Sequence, residues 1–248
     1  MPSNDETARL EAVAGAYAHA DLAGVNEQYH VHLRDTLIPP GGGRSALELG
    51  CGKGLWTKVL CDRYDVVDVV DGSADLLRQV AERNVGRRAR LTTHQSLVED
   101  LPDGRDRQWQ HIYITFLLEH VQRPVDVLRR IKSCLADDGQ IFLAVPNARS
   151  VHRVVAHRMG LIEALDELSE NDLRTGHRRV YTAELLRSHV LTAGYEIVAE
   201  RSVGLKVLNL RQMEHWSADQ VNAFCISGDL APDNGAYLTL TARHPNRS

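Results

Sequence analysis

Apolar and polar residues along the chain follow two periods, which predict strands and helices in turn. Short apolar runs such as "SALELGC" (45–51) and "DVVDVVD" (65–71) indicate buried strands. Amphipathic segments such as "SADLLRQVAERN" (73–84) lie between them and predict helices, this one capped by Ser73. Alternation at this interval is typical of βαβ units and predicts an α/β protein with a parallel sheet. Such a sheet binds its ligands at the carboxyl ends of the strands.

The alternation is interrupted in segments that we expect to cover those strand ends. Two helices at about 6–19 and 23–37 precede a break at Pro39–Gly43, and polar, partly helical sequence fills 147–179. We therefore predict a helical cap at 1–40 and a ligand-binding domain at 41–248, with cap insertions near 147–179 and 204–225. The last run, "AYLTLTAR" (236–243), alternates strictly and predicts an antiparallel edge strand.

Composition and charge narrow the possible partners. The 248 residues are 43% hydrophobic and carry a net charge of -4 without a clear basic face, which argues against a nucleic-acid partner. No apolar run reaches the roughly 18 residues of a membrane span, and the first residues lack the order of a signal peptide. Four widely spaced cysteines indicate reduced thiols. We expect a cytoplasmic protein with a small-molecule partner and no membrane contact, and a homodimer stays open.

A glycine-rich turn follows the first strand of the α/β pattern. Gly50, Gly52 and Gly54 bring bare backbone toward a nucleotide-like ligand, but Leu55 stands where a dinucleotide fingerprint needs its third glycine. Asp71 ends the next strand, where a carboxylate can accept both ribose hydroxyls or support the helix that begins after Ser73. Glu48 lies in an otherwise apolar strand, so a ligand amino group or nearby backbone amides must compensate for its burial.

Two longer stretches carry a family resemblance. "LELGCGKG" (47–54) with Asp71, and "LLEHVQRPVDVLRRIKSCLADDGQIFLAVPN" (117–147), resemble the class I S-adenosylmethionine-dependent methyltransferases over about residues 44–147. The resemblance implies a doubly wound, mostly parallel seven-stranded sheet with an antiparallel last strand. It also implies S-adenosylmethionine as cofactor, S-adenosylhomocysteine as product, and methyl transfer by in-line displacement.

The resemblance also assigns residues to the cofactor. The glycines should lie against its methionine part, Asp71 should hold the ribose, and Glu48 should support the loop indirectly. The adenine should lie near the end of the third strand, where Ser96 and Leu97 replace a carboxylate of many relatives. The full set implied for the cofactor is Glu48, Gly50, Cys51, Gly52, Asp71, Gly72, Gln95, Ser96, Leu97 and Thr115.

Glu119 and His120 follow the fourth predicted strand and are the candidate catalytic residues. His120 could deprotonate an acceptor hydroxyl or ammonium, or it could only pack or cap the next helix. The ubiquinone-pathway O-methyltransferases, which the sequence resembles here, carry a further glutamate three residues before this pair. Phe116 occupies that position, and we therefore expect no metal.

The acceptor side is predicted from weaker signals. "GHRRVYT" (176–182) is similar to a segment of small-molecule methyltransferases, many from secondary metabolism such as antibiotic biosynthesis. His177 and Arg178 could bind an acceptor carboxylate or phosphate, or anchor the cap. Five acids between Leu161 and Leu173 could form a solvated helix face or attract a cationic acceptor. The residues assigned to the acceptor are Tyr29, which could instead be core, and His30, His177, Arg178 and Lys206.

These features predict methyl transfer to an O or N atom of a small metabolite. The alternative is a non-catalytic module or partner subunit that binds S-adenosylmethionine or S-adenosylhomocysteine. Intact glycines and Asp71 suit both hypotheses, so turnover has to separate them.

Overall fold

The structure is a computed structural model that describes residues 24–101 and 107–245. The helix predicted at 6–19 lies outside the described residues, while the second predicted helix is present. The helices are α1 (Val25–Leu37), α2 (Leu55–Arg63), α3 (Ala74–Arg83), α4 (Pro124–Lys132), α5 (Val151–Arg158), α6 (Glu170–Arg174), α7 (Ala183–Thr192) and α8 (Ala218–Ile226). The strands are β1 (Gly43–Leu49), β2 (Tyr64–Asp71), β3 (Arg90–Gln95), β4 (Trp109–Thr115), β5 (Leu135–Pro146), β6 (Glu196–Val203) and β7 (Tyr237–Arg243).

The strands form one sheet in the order β3-β2-β1-β4-β5-β7-β6. Strands β1 to β5 pair in parallel, and β7 pairs antiparallel with both β5 and β6. The predicted mostly parallel, seven-stranded sheet with an antiparallel last strand is confirmed. The strand order reverses between β1 and β4, and the crevice at such a reversal is where open α/β sheets bind ligands.

The edge position predicted for the last strand is wrong. β7 lies between β5 and β6, and its residues Leu238 and Leu240 are 3% and 0% exposed. Alternating apolar and polar residues predict a strand with two different faces. They do not indicate whether the strand pairs with one neighbouring strand or with two. The threonines on the second face do not make it an edge, because Thr239 is also buried.

Helices cover both faces of the sheet and form two apolar layers. Leu128 of α4 and Leu186 of α7 belong to one layer, and Leu33 of α1 and Leu60 of α2 belong to the other. Each of these leucines is fully buried, which contributes about 1.5–3 kcal/mol apiece. Ser73 caps α3 as predicted, because its hydroxyl accepts the N–H of Leu76 at 3.3 Å.

Helices α1, α5, α6 and α8 belong to the segments predicted as the cap. Hydrogen bonds join these segments through the chain after β6: Leu205 receives a bond from the Tyr29 hydroxyl at 2.7 Å and donates one to the carbonyl of Phe224 at 3.0 Å. The division into a cap at 1–40 and a domain at 41–248 remains a prediction. Among the described helices, none has the length and apolar character that crossing a membrane requires.

Candidate functional site

The glycine-rich turn between β1 and α2 needs its glycines for the geometry of the protein itself. Gly50 and Gly54 have φ angles of 79° and 80°, which residues with a side chain rarely adopt. A Cβ at Gly50 would lie 3.3 Å from Leu117 Cδ1, and one at Gly54 would lie 2.9 Å from Val80 Cγ2. The turn is therefore fixed by packing against the chain after β4 and against α3.

Asp71 closes this turn from the end of β2. One carboxylate oxygen accepts the backbone N–H of Cys51 and the other that of Ser73, both at 2.9 Å. Each carboxylate oxygen can accept a second hydrogen bond. Asp71 thus supports the start of α3, as one sequence interpretation held. Its Oδ1 keeps capacity for a ribose hydroxyl of the other interpretation, whereas its Oδ2 also receives the Cys51 thiol at 3.4 Å.

A crevice opens at the carboxyl ends of β1, β2 and β4, with about 400 Å³ of space that includes open solvent. It brings together several of the predicted site residues with others that sequence reasoning missed. The predicted ones are Gly50, Asp71, Gly72, Ser96, Leu97 and His120, and the missed ones are Val98, Glu99, Leu117 and Val121. Glu99 supplies a carboxylate beside Ser96 and Leu97, and the acidic pair in "VED" (98–100) was the available signal.

Other predicted cofactor residues lie around the crevice without lining it. Cys51 is buried and its thiol contacts Asp71 at 3.4 Å, while Gly52 is exposed at the tip of the turn. Gln95 donates to the Gly72 carbonyl at 3.4 Å, and Thr115 is 6% exposed at the end of β4. Direct cofactor contacts for these four residues remain predictions.

Glu48 is a buried acid beneath the turn. It is 1% exposed and accepts a hydrogen bond from the Thr57 hydroxyl of α2 at 2.6 Å, whereas its second carboxylate oxygen has no partner among the described residues. Burial raises the pKa of Glu48 to about 8, against the lowering effect of the Thr57 bond. These contacts support its interpretation as a brace between β1 and α2.

Glu119, His120 and His177 form a cluster directly after β4. The imidazole Nδ1 of His120 donates to the Gly176 carbonyl at 3.3 Å, and that of His177 donates to Asp172 at 2.9 Å. The two rings meet edge to face at 4.8 Å. Glu119 is fully buried, neither carboxylate oxygen has a hydrogen-bond partner among the described residues, and burial raises its pKa to about 7. This cluster is therefore equipped to exchange protons near neutral pH.

The same three side chains are also the candidate metal ligands. Their potential ligand atoms all lie within 4.8 Å of one another, and carboxylate and imidazole groups suit a divalent cation such as zinc. Phe116 supplies no further ligand, because its side chain is a hydrocarbon ring without a donor atom. This ring stacks on His30 at 4.4 Å. The expected absence of a metal stays a prediction.

The basic segment after α6 is held against the chain after β4. The guanidinium of Arg178 donates to the His120 carbonyl at 2.8 Å, and that of Arg179 donates to the Leu118 and Val121 carbonyls at 2.6 and 2.7 Å. Together with the bond from His177 to Asp172, these contacts support the cap-anchoring interpretation of His177 and Arg178.

Asp172 has a structural role. Sequence reasoning did not distinguish it from the other acids between Leu161 and Leu173. It is 8% exposed, so it does not belong to a solvated helix face. It accepts hydrogen bonds from Ser169, from His177 and from Arg153 of α5, the last at 3.3 Å. These donors keep the pKa of Asp172 far below its usual range, although burial acts in the opposite direction. The S-x-x-D spacing of a capping box at 169–172 was the readable signal.

The three remaining acceptor candidates lie together on the cap side. Tyr29 is 1% exposed and donates to the Leu205 carbonyl, as its core interpretation predicts. His30 stacks on Phe116 and meets Tyr237 edge-on at 5.6 Å. Lys206 is still reached by solvent but is surrounded by protein atoms, and this burial lowers the pKa of its ammonium to about 8.

The family follows from comparison with known proteins. The profile of a methyltransferase domain matches residues 25–200, which is more than half of the chain. The chain belongs to this methyltransferase domain family. The family predicted from the glycine turn, Asp71 and the segment 117–147 is thereby confirmed.

Curated relatives of this methyltransferase include enzymes that modify different acceptor atoms. It is 30% identical over 110 residues to the ubiquinone biosynthesis O-methyltransferase of Pseudomonas entomophila, covering 42% of this chain and 45% of the relative. It is 32% identical over 108 residues to (S)-coclaurine N-methyltransferase of Thalictrum flavum, covering 41% and 28%. The matched region thus spans less than half of either relative.

Solved structures resemble the methyltransferase over nearly its whole length. An S-adenosylmethionine-dependent methyltransferase from Mesorhizobium loti has a TM-score of 0.64 at 16% identity, covering 89% of this chain and all of that one. The N-methyltransferase NodS of Bradyrhizobium japonicum has a TM-score of 0.61 at 13% identity, covering 96% and 98%. At these identities the similarity establishes the fold.

Proposed function

We propose that this methyltransferase transfers a methyl group from S-adenosylmethionine to an O or N atom of a small metabolite. The observation that carries the proposal is the crevice, where Gly50, Asp71 and Leu97 lie beside the candidate base His120. Candidate cofactor-binding and proton-accepting groups are thus adjacent at the carboxyl ends of neighbouring strands.

The residues around the crevice fit S-adenosylmethionine. Asp71 would accept the ribose hydroxyls, Ser96, Leu97 and Glu99 would surround the adenine, and Gly50 would leave room for the methionine part. NodS, which has the same fold, was crystallised with S-adenosyl-L-homocysteine. The bound cofactor would supply an electrophilic methyl group on a sulfonium.

The protein would contribute mainly position and proton acceptance. Holding a nucleophile in line is worth up to about 7–11 kcal/mol. His120, whose Nδ1 donates to the Gly176 carbonyl, would take a proton from an acceptor hydroxyl or ammonium. Glu119 would stabilise the imidazolium that results, because its buried carboxylate lies within reach of both His120 and His177.

The direct test is product formation. The purified protein is incubated with methyl-labelled S-adenosylmethionine and a panel of small hydroxyl and amine compounds, and S-adenosylhomocysteine and label transfer are measured. We expect both products to appear in equal amounts with at least one acceptor class. Cofactor binding without turnover on any acceptor would instead support the non-catalytic module.

We also propose that the reaction takes place in the cytoplasm. All four cysteines are buried thiols outside any disulfide, as expected of a protein that works under reducing conditions. Fractionation of producing cells would test this, and recovery of the protein in an oxidising compartment would contradict it. A role in secondary metabolism is a further proposal, supported by the "GHRRVYT" segment, and would be tested by deleting the gene and profiling metabolites.

A further inference from the structure

Lys206 lies where three cap segments meet. The backbone carbonyl of Lys206 accepts the N–H of His152 at the start of α5, at 3.1 Å. The preceding residue, Leu205, is bonded to Tyr29 of α1 and to Phe224 of α8. The backbone of Lys206 is therefore fixed from several sides, while its side chain lies among the cap segments and stays partly exposed to solvent.

The ammonium of Lys206 has no acidic partner among the described residues. Asp172 is the acid whose charge acts on it favourably, but that carboxylate already accepts bonds from Ser169, His177 and Arg153. Arg153 adds a second positive charge nearby. A cation that is largely surrounded by protein and has no counter-ion is costly, which makes it a candidate for binding a ligand of opposite charge.

Two histidines flank Lys206 without supplying negative charge. Burial, and secondly the charge of Lys206, lowers the pKa of His30 to about 4 and that of His152 to about 3. Both imidazoles are therefore neutral near pH 7. Nδ1 of His152 is buried and has no hydrogen-bond partner among the described residues. The pair offers neutral polar groups beside one cation, a combination that suits an oxyanion.

This cluster is continuous with the cofactor crevice. His30 stacks on Phe116, which Tyr237 contacts edge-on at 5.0 Å. Phe116 precedes Leu117, and Leu117 and His120 line the crevice. An acceptor that passes these rings would have one end beside His120 and the other toward Lys206.

We propose that Lys206, flanked by His30 and His152, binds an anionic group of the methyl acceptor, either a carboxylate or a phosphate. The proposal rests on the proposed function and deepens it by naming the substrate class. The acceptor is a small anionic compound whose methylated atom lies at the end opposite to its charge, separated by a flat or apolar body that contacts Phe116 and Tyr237.

The test measures binding of simple probes to the protein loaded with S-adenosylhomocysteine. Benzoate and phenyl phosphate are the anionic probes, and benzamide is the neutral one, each titrated by calorimetry or ligand-observed NMR. We expect at least one anion to bind ten-fold or more tightly than benzamide. Preference for benzoate or for phenyl phosphate identifies the group as carboxylate or phosphate. Equal affinity for the anions and benzamide, or no anion binding, overturns the proposal.

The matched variants are Lys206→Met and Lys58→Met, the second on the exposed surface of α2. Lys206→Met should lose ten-fold or more of the anion affinity, keep the benzamide affinity and melt at a higher temperature than the wild type. Lys58→Met should change none of these. Anion affinity retained by Lys206→Met, or lost equally by Lys58→Met, rules out the assignment.

Measurements of binding and of turnover report on different parts of the site. Affinity for S-adenosylhomocysteine, which both variants should keep within two-fold, reports the cofactor side. If no acceptor is methylated but the anions still bind through Lys206, the proposed function fails and the anion site stands. If methyl transfer occurs but neutral acceptors are used as well as anionic ones, the anion site fails alone.

Discussion

The sheet side and the cap side of the crevice are built in different ways. On the sheet side, Asp71 and the glycine turn are positioned by parallel strands and by backbone N–H groups at 2.9 Å. On the cap side, positions depend on side chains from distant segments, such as Arg153 with Asp172 and Tyr29 with Leu205. The sheet side is thus set by the backbone of the fold, whereas the cap side is set by a few charged and aromatic contacts that another sequence could replace.

The largest expected effect lies where the two sides meet. His120→Ala should lower kcat about 100- to 1000-fold on an acceptor from the panel, because the proton acceptor is removed. The dissociation constant of S-adenosylhomocysteine should stay within about threefold. His244→Ala is the control, since this histidine follows β7 at the opposite end of the sheet and contacts the Leu135 carbonyl. A near-wild-type kcat for His120→Ala would assign this residue to packing.

The next prediction separates the stability of the cap from that of the sheet. Arg153 donates to Asp172 and to the carbonyls of Leu165 and Glu167, so Arg153→Met should destabilise the segment 147–179 by about 3 kcal/mol. Hydrogen exchange should speed up there and stay unchanged in β1 and β4. Arg158→Met, at the exposed end of α5, is the matched variant and should leave exchange unaltered. Uniform acceleration across the sheet would show that the two sides unfold together.

A third prediction concerns pH and the sheet side. The folded-state pKa of Glu48 is about 8, above its ordinary value of 4.5, so the wild type loses stability as pH rises from about 5 to 8. Glu48→Gln cannot ionise and should gain about 2 kcal/mol relative to the wild type for each rise of about 1.5 pH units within this interval. Denaturant unfolding at several pH values measures the difference. A constant difference between the two proteins would mean that Glu48 is ionised throughout.

The smallest expected effect tests the ribose assignment. Asp71→Ala should weaken S-adenosylmethionine binding at least ten-fold, or about 1.4 kcal/mol, in a calorimetric titration. Asp65→Asn, in the exposed first part of β2, should bind like the wild type. An unchanged affinity for Asp71→Ala would leave Asp71 with only its bonds to Cys51 and Ser73.

The sequence predicted the sheet side better than the cap side for a physical reason. The strands and the glycine-rich turn are local features. The spacing of apolar residues and the need for glycine at a positive φ both depend on only a few neighbouring residues. The burial of Asp172 depends on Arg153, nineteen positions earlier, and on His177. The neighbouring residues in the sequence are mostly polar, so they are equally compatible with a solvated helix face. The interior position of β7 was likewise missed, since strand order depends on the whole sheet. Glu99 was missed because the path of the chain after β3, which the sequence pattern does not show, brings this residue to the crevice.

The position of β7 in the sheet has a consequence for how the protein is made. Within the described residues, β6 has β7 as its only strand neighbour, and β7 also pairs with β5. On the ribosome, β5 and β6 therefore emerge long before the strand that joins them, and their backbone groups stay open to solvent and to other chains meanwhile. A nascent chain halted before Tyr237 would contain the glycine-rich turn but would lack the strand that completes the sheet. Chaperone binding to such halted chains should cease once the last strand has left the exit tunnel.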